Sequence, residues 1–502
     1  MRTKILLLAL FMCTLLPSCS KKEEASLLFS RTTLFFKWGD SPQSVTYIAD
    51  RAVMVKVTDI TTGWTCTVDE SNQTVTITPP EDPVEEAQRT LLKKGMATIT
   101  ATSTKGVLST YILTSHIVGN NYVDLHNGAK EYANCYVASE AEAVYYLDIT
   151  KNGMGRELKD VEQVELIWQD RSGLIESLSI TDDNTKATFF IDTEKDDDGK
   201  EVLYDGKTAV PEGNALIAAE DIYGNVLWSW HIWVLRKEHL PEANCEQYSN
   251  GKTFMKFNLG AMDNHLGDAS DTDRILASYG LYYQWGRKDP FPRPRYHDCA
   301  AGYDALLFTS IGNVTYVTYD DMDQTTGTPE YARENPLTFI LNKNIDEDPD
   351  STGDWMYTKD DTLWSSSRKS ENDPCPYGWK VPSVDDLKCL SLPSDEDTKS
   401  LDEARKQYGW WLEDASSNRH FFLAGGFHSY YTGTIVNMNY NNEKYPYNPE
   451  PWEGYYWTTD TKDGYGRSLY FDLTTTRSIN KFNMGYPLRR ANACQIRCVK
   501  AN

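Results

Sequence analysis

In several short runs between residues 64 and 117, threonines and apolar side chains alternate position by position. Trp64, Cys66 and Val68 interleave with Thr65 and Thr67, and Val75 and Ile77 with Thr74, Thr76 and Thr78. Ala97, Ile99 and Ala101 repeat the pattern, and Ser109 to Ile117 forms a last run. A period of two sends successive side chains to opposite faces of a strand, so these runs predict sheets with one buried and one wetted face. Short strands punctuated by turn residues predict a β-sandwich over residues 27–118.

A second strand-rich unit is expected over residues 119–249. Val164, Leu166 and Trp168 alternate there, and "NALIAAEDIYGNVLWSWHIWVL" reads as a hairpin turning at Tyr223-Gly224-Asn225. On its return strand Val226, Trp228, Trp230, Ile232 and Val234 share one face, while Leu227, His231, Trp233 and Leu235 share the other. A strand apolar on both faces is expected to be covered on both sides. His231 in such surroundings reads as a hydrogen-bonded core histidine rather than a ligand.

The first residues carry an export signal. Arg2 and Lys4 precede an apolar run from Ile5 to Leu16, and Leu16-Pro17-Ser18-Cys19 follows. That order of a charged n-region, a short apolar core and small residues predicts a signal peptide over residues 1–18, and the run is too short to span a bilayer. Cys19 after small residues resembles a bacterial lipobox, in which the cysteine becomes the acylated N-terminus; the alternative is an ordinary cleaved signal with a spare cysteine. Residues 19–26, including Ser20-Lys21-Lys22-Glu23-Glu24, then form a tether and resemble the acidic surface-export tag of Bacteroidetes lipoproteins. The expectation is an outer membrane lipoprotein facing the cell exterior. The chain carries 73 acidic against 50 basic residues, a net charge of −23, which excludes the footprint of a nucleic-acid partner.

The remaining cysteines are Cys66, Cys135, Cys245, Cys299, Cys375, Cys389, Cys494 and Cys498, and none forms a zinc-type set with histidine. Disulfides and buried thiols are both open readings.

Longer motifs carry family resemblances. "GWTCTVDESNQTVTITPP" followed by "KGMATITATSTKGVLST" resembles the BACON-type immunoglobulin-like domain of Bacteroidetes surface proteins, where it implies a spacer or a carbohydrate binder. "ANCYVASE" and "GNVLWSWHIWV" look like segments that precede the terminal domain of such lipoproteins. From residue 250 onward "FMKFNLGA", "GLYYQWGRKDPFP", "PCPYGWKVPSVDDLKCL", "GYYWTTD" and "CQIRCVK" occur in order. Together they resemble the Fibrobacter succinogenes major paralogous domain, related to the C-type-lectin-like fold. The fold class so implied is mainly β and multidomain: immunoglobulin-like β-sandwiches followed by an α+β C-type-lectin-like domain over 250–502.

Within that domain Ser383 and Asp386 form a capping-box pattern, and Val384, Leu387 and Leu390 fall on one helical stripe. Ile496 and Val499 are assigned to a final strand. The resemblance implies a disulfide between the first helix and last strand, Cys375–Cys498; Cys389 with Cys494 is a second pairing, with two free thiols as its alternative. Residues 289–370 read as an elaborated surface loop with short strands at "VTYVTY" and "PLTFIL".

Candidate chemistry is sparse. Glu194 to Gly199 with Asp205 echoes a cation loop, making Asp196, Asp198 and Asp205 calcium candidates against the reading of a solvated hairpin turn. The sugar-binding calcium motifs of C-type lectins are missing. By contrast, "HSYYTGTIVNMNYNNEKYPYNPEPWEGYYW" holds Tyr430, Tyr431, Tyr440, Tyr445, Tyr447, Trp452 and Tyr455 among Asn and Gly. Rigid amphipathic rings suit recognition, so these seven are the candidate ligand-binding residues, with a packed scaffold as the alternative; Tyr456 and Trp457 read as core. No catalytic motif of the hydrolase, zincin, nucleotide or dinucleotide type occurs, so no catalytic residue and no cofactor are assigned. One remote alternative is an oxidase resembling the formylglycine-generating enzymes, whose paired C-terminal cysteines would fall at Cys494 and Cys498. The expected function is non-enzymatic adhesion or ligand binding at the cell surface, with a glycan or protein ligand and pilus subunits as partners, as in a fimbrial accessory or tip component. The alternative is a glycan-binding accessory lipoprotein of polysaccharide uptake.

Overall fold

The computed structural model describes residues 26–501 except 30–32, 117–121, 265–270, 296–303, 344–351, 394–403, 437–451, 474–481 and the single positions 51, 86, 87, 90, 91, 105, 129, 182, 197 and 205. The expected signal peptide and acylation site Cys19 lie outside the described residues. The architecture is mainly β, and no helix among the described residues is long and apolar enough to cross a membrane. The described residues gather into two compact units, one drawn from 26–29, 41–80 and 95–112 and the other from 33–40, 81–94 and 113–501.

In the first unit Ser26–Phe29, Gln43–Asp50, Thr74–Thr78 and Thr65–Asp69 form one antiparallel sheet. Met54–Ile60 pairs with Lys94–Ser103, which Gly106–His116 follows. The alternation holds: Val45, Val75, Ile77, Ala97, Ile99 and Ala101 are buried, while Ser44 and Thr76 bond through their hydroxyls at 2.7 Å on the other face. Asp69 closes the turn after its strand. Hydrogen bonds from Ser71 and Asn72 hold its carboxyl down at about 2.

The second unit is built around a six-stranded sheet in the order Cys135–Ala138, Val226–Val234, Gly213–Glu220, Gln163–Gln169, Leu307–Phe308 and Val314–Thr315. Its hairpin turns at residues 221–225, closed by Asp221 N donating to Asn225 O at 3.0 Å. Trp228, Trp230, Ile232 and Val234 enter a core shared with a second sheet that includes Ala143–Asp148 and Lys186–Ile191. Trp233 and Leu235 enter a different core made largely by residues beyond 250. The strand is thus covered on both faces.

That arrangement runs across the expected division at 249/250. Phe308 pairs with Gln169, so the sheet of the 119–249 region continues into the C-terminal region, and both belong to one compact unit. Polar ties cross the same seam. Trp233 Nε1 donates to Ala261 O at 3.0 Å, and Asn134 Nδ2 to Asp373 O at 2.9 Å. Lys288 Nζ donates to Asp289 Oδ1 at 2.6 Å and to Ser229 O at 3.1 Å, all three residues being buried.

In the C-terminal region Thr253–Met255 and Trp379–Lys380 flank Val499–Lys500, the last strand; Ile496 is buried ahead of it. Cys375 Sγ and Cys498 Sγ are bonded, 123 residues apart in sequence. Ser383 caps Val384–Leu387 in a capping box with Asp386, whose carboxyl is lowered by bonds from Ser383 despite its burial. Leu387 and Leu390 are buried below it. Residues 289–370 are not a surface loop throughout. Thr318–Asp321 runs parallel to Thr338–Leu341, and Trp355, Met356 and Trp364 are buried in the core. The rings sit singly among polar residues, so no period marked them.

Candidate recognition surface

A tight turn after Phe427–His428 presents two of the seven candidate rings. Gly433 N donates to Ser429 O at 2.7 Å, and Ser429 N to Thr434 O at 2.9 Å. Gly433 has φ +71°, and any β-carbon there would strike the Tyr319 ring, so glycine is required twice over. Four further contacts lock the turn. His428 is buried with Nδ1 2.8 Å from Gly433 O and Nε2 3.2 Å from Pro292 O. Tyr430 N donates to Asn492 Oδ1 at 2.7 Å, and Tyr430 O accepts from Asn342 N at 2.9 Å.

On that base Tyr430 and Tyr431 meet edge to face at 6.3 Å, and the Arg489 guanidinium lies 4.7 Å above the Tyr430 ring. Tyr431 is 49% exposed and Tyr319, from the other side of the turn, 42%. Tyr319 rests on Phe339, which packs with Phe291 and His428. Burial, with Asp304 adding to it, pushes the Tyr319 phenol up to about 12, so it remains a neutral donor at physiological pH. Three tyrosines and an arginine thus stand on a rigid base, a set of side chains that gives contact area at low entropic cost.

The other candidates separate from this group. Tyr440, Tyr445 and Tyr447 lie outside the described residues. Tyr455 is corrected to core: it is buried, its hydroxyl donates to Glu453 Oε2 at 2.7 Å, and Tyr470 donates to Glu453 Oε1 at 2.9 Å. Burial and that carboxylate raise the Tyr455 phenol far above its ordinary value. Trp452 is half-buried against Tyr408, 5.5 Å between rings, with its indole Nε1 buried. Tyr456 and Trp457 are core. Sequence reasoning passed over Tyr319 and Arg489; "VTYVTY" signalled a strand but not which ring would reach the 429–434 turn.

Asp196 does not join a cation cage. Its Oδ1 accepts from Asp198 N at 3.1 Å and Lys200 N at 2.9 Å, closing a hairpin, while Glu194 is held by both Arg171 nitrogens at 2.6 and 2.7 Å. Asp205 lies outside the described residues. Among the described residues no group of three His, Cys, Asp or Glu side chains gathers to hold a metal. The Cys389–Cys494 pairing is also corrected: Cys494 is a buried thiol on a strand beside Tyr283, and Cys389 packs against a separate core cluster. Cys498 is committed to Cys375, so Cys494 and Cys498 are not a free pair; burial raises the Cys494 thiol well above its ordinary value.

No family model and no curated protein matches the chain. Solved structures overlap parts of it at low identity. An endo-fucoidan hydrolase of glycoside hydrolase family 107 is 10% identical over 40% of this chain and 32% of its own, with a TM-score of 0.14. The YadV chaperone is 11% identical over 41% of this chain and 98% of its own, TM-score 0.17. The titin Ig tandem A164-A165 is 12% identical over 42% and 97%, TM-score 0.14. Overlaps of that quality fix neither fold family nor function.

Proposed function

We propose that this chain is a non-enzymatic adhesion or ligand-binding lipoprotein, acylated at Cys19, on the outer face of the outer membrane. The N-terminal sheets act as a BACON-like spacer, and the region from 250 is a C-type-lectin-like head. The observation that carries the functional reading is the cluster of Tyr319, Tyr430, Tyr431 and Arg489 on a turn fixed by Gly433, His428 and Asn492. Exposed tyrosines on a pre-ordered base bind by contact and lose little entropy in doing so. The lectin-like reading draws support from the pairing of Thr253–Met255 with the last strand and from the Cys375–Cys498 bond. The oxidase alternative loses its second free cysteine and is set aside. The purified full chain, applied to an array of glycans and to a panel of immobilised host proteins and pilins, tests the reading. Protein or pilin binding supports adhesion, a coherent set of polysaccharides favours the uptake accessory, and turnover of any arrayed glycan overturns both.

A further inference from the structure

A cleft of about 630 Å³, sharing no lining residue with the tyrosine surface, lies on the second unit between the 152–156 turn and the 360–372 segment. Its volume falls within the range of small-molecule sites, about 300–1,000 Å³. The 360–372 wall has no regular secondary structure, yet it is tied at successive points. Trp364 Nε1 donates to Asn372 O at 2.8 Å, Ser370 Oγ to Leu363 O at 2.7 Å, and Lys380 Nζ to Ser366 O at 2.9 Å. Lys369 is anchored to Asp373 Oδ1 at 2.7 Å and Trp379 O at 3.0 Å. Across the cleft, Asn152 donates to the Glu371 carboxylate and Arg156 Nη1 lies 2.6 Å from its other oxygen. The cleft is formed before any ligand arrives.

Its charges select the ligand. Asp361 is paired with Arg490, a fully buried guanidinium lying 4.4 Å from the Trp285 ring, and Glu371 with Arg156. Asp360 accepts from Thr362 N at 2.7 Å and Thr362 Oγ1 at 2.6 Å. Exposed Arg368 has no hydrogen bond or ion pair among the described residues. An anion would meet the carboxylates of Asp360, Asp361 and Glu371, and a cation the guanidinium groups of Arg156 and Arg368 and the Lys369 ammonium, so either would bring a like-charge cost. A neutral polyol meets neither. Its hydroxyls both donate and accept, which suits carboxylates and guanidinium groups side by side with the hydroxyls of Thr362, Ser365 and Ser366. Met154 and Leu363 supply apolar surface for C–H faces.

We infer that the cleft between the 152–156 turn and residues 360–372 binds an uncharged oligosaccharide, held by Arg368 and the flanking carboxylates. The test is calorimetric titration of the full chain with neutral oligosaccharides, chosen by glycan array, beside sulfated or sialylated and amino-sugar counterparts. Arg368→Ala removes a guanidinium without structural partners, and Ser366→Trp fills the mouth from an exposed position. The expected result is preference for neutral sugars with little salt dependence. Arg368→Ala is expected to weaken binding about tenfold and Ser366→Trp to abolish it, each with an unchanged melting temperature. Preference for charged sugars, no sugar binding at all, or unchanged binding in a folded Ser366→Trp protein overturns the inference.

Discussion

The strands Thr74–Thr78 and Val226–Val234 are both rich in β-branched and aromatic residues, yet they carry opposite burdens. In the first, only Val75 and Ile77 are buried deeply and the threonines between them are partly wetted. In the second, nearly every side chain is buried, with alternate faces given to two different cores. A one-faced strand completes a local sheet. A two-faced strand welds regions distant in sequence, and this explains why the 119–249 and C-terminal regions form one unit. Side chains fully committed to welding have nothing left to offer a partner, so the proposed recognition surface is placed on a turn standing on that frame.

The largest expected effect concerns the covalent part of the frame. Replacing Cys375 and Cys498 by Ser reopens a loop of 123 residues, which in the chain-entropy model costs about 4–5 kcal/mol; denaturant unfolding with and without reductant measures it. An equal midpoint in both conditions would break the weld picture at its terminal tie. Next comes the buried ammonium. Lys288→Met leaves Asp289 buried without its ion-pair partner between the two regions, at a cost of about 3–5 kcal/mol, whereas exchange of the exposed Lys388 for Met should change the midpoint hardly at all.

The third effect is a pH dependence. Burial holds His231 neutral, at about 3 against an unfolded value of 6.5. Its contribution is therefore complete above pH 6.5 and is lost as pH falls from there toward 3, because the unfolded chain takes up the proton first. The loss amounts to at most about 1.4 kcal/mol per pH unit. In His231→Phe, which keeps a ring beside Trp233, that slope should disappear from chemical denaturation measured across the window. Smallest is Ile77→Val in the one-faced strand, about 0.5–1.5 kcal/mol by the same assay; a cost as large as that of Lys288→Met would erase the contrast between the strands.

Much of this frame was legible in the sequence because its signals are local. Alternation marked Val75 and Ile77, two apolar faces marked the Trp230 and Trp233 strand, and Ser383 with Asp386 marked a helix start. What stayed hidden depends on distant pairing. Trp355 and Trp364 become core only because segments far apart in the chain close over them. Tyr319 reaches the surface cluster through the parallel pairing of Thr318–Asp321 with Thr338–Leu341 and the absence of a side chain at Gly433. Tyr455 looked like Tyr431 in composition, but its partner Glu453 and the ring of Tyr470 hold it inward. Ring count singled out candidates, and only the fold separated exposed rings from buried ones.

The most direct test of that sorting is surface plasmon resonance with the full chain and whichever host protein or pilin it binds most tightly on the panel. Tyr431→Ala removes an exposed ring, so the expected result is at least a tenfold loss of affinity with an unaltered melting temperature. Affinity equal to that of the unaltered chain, in a protein that melts at the same temperature, would contradict it.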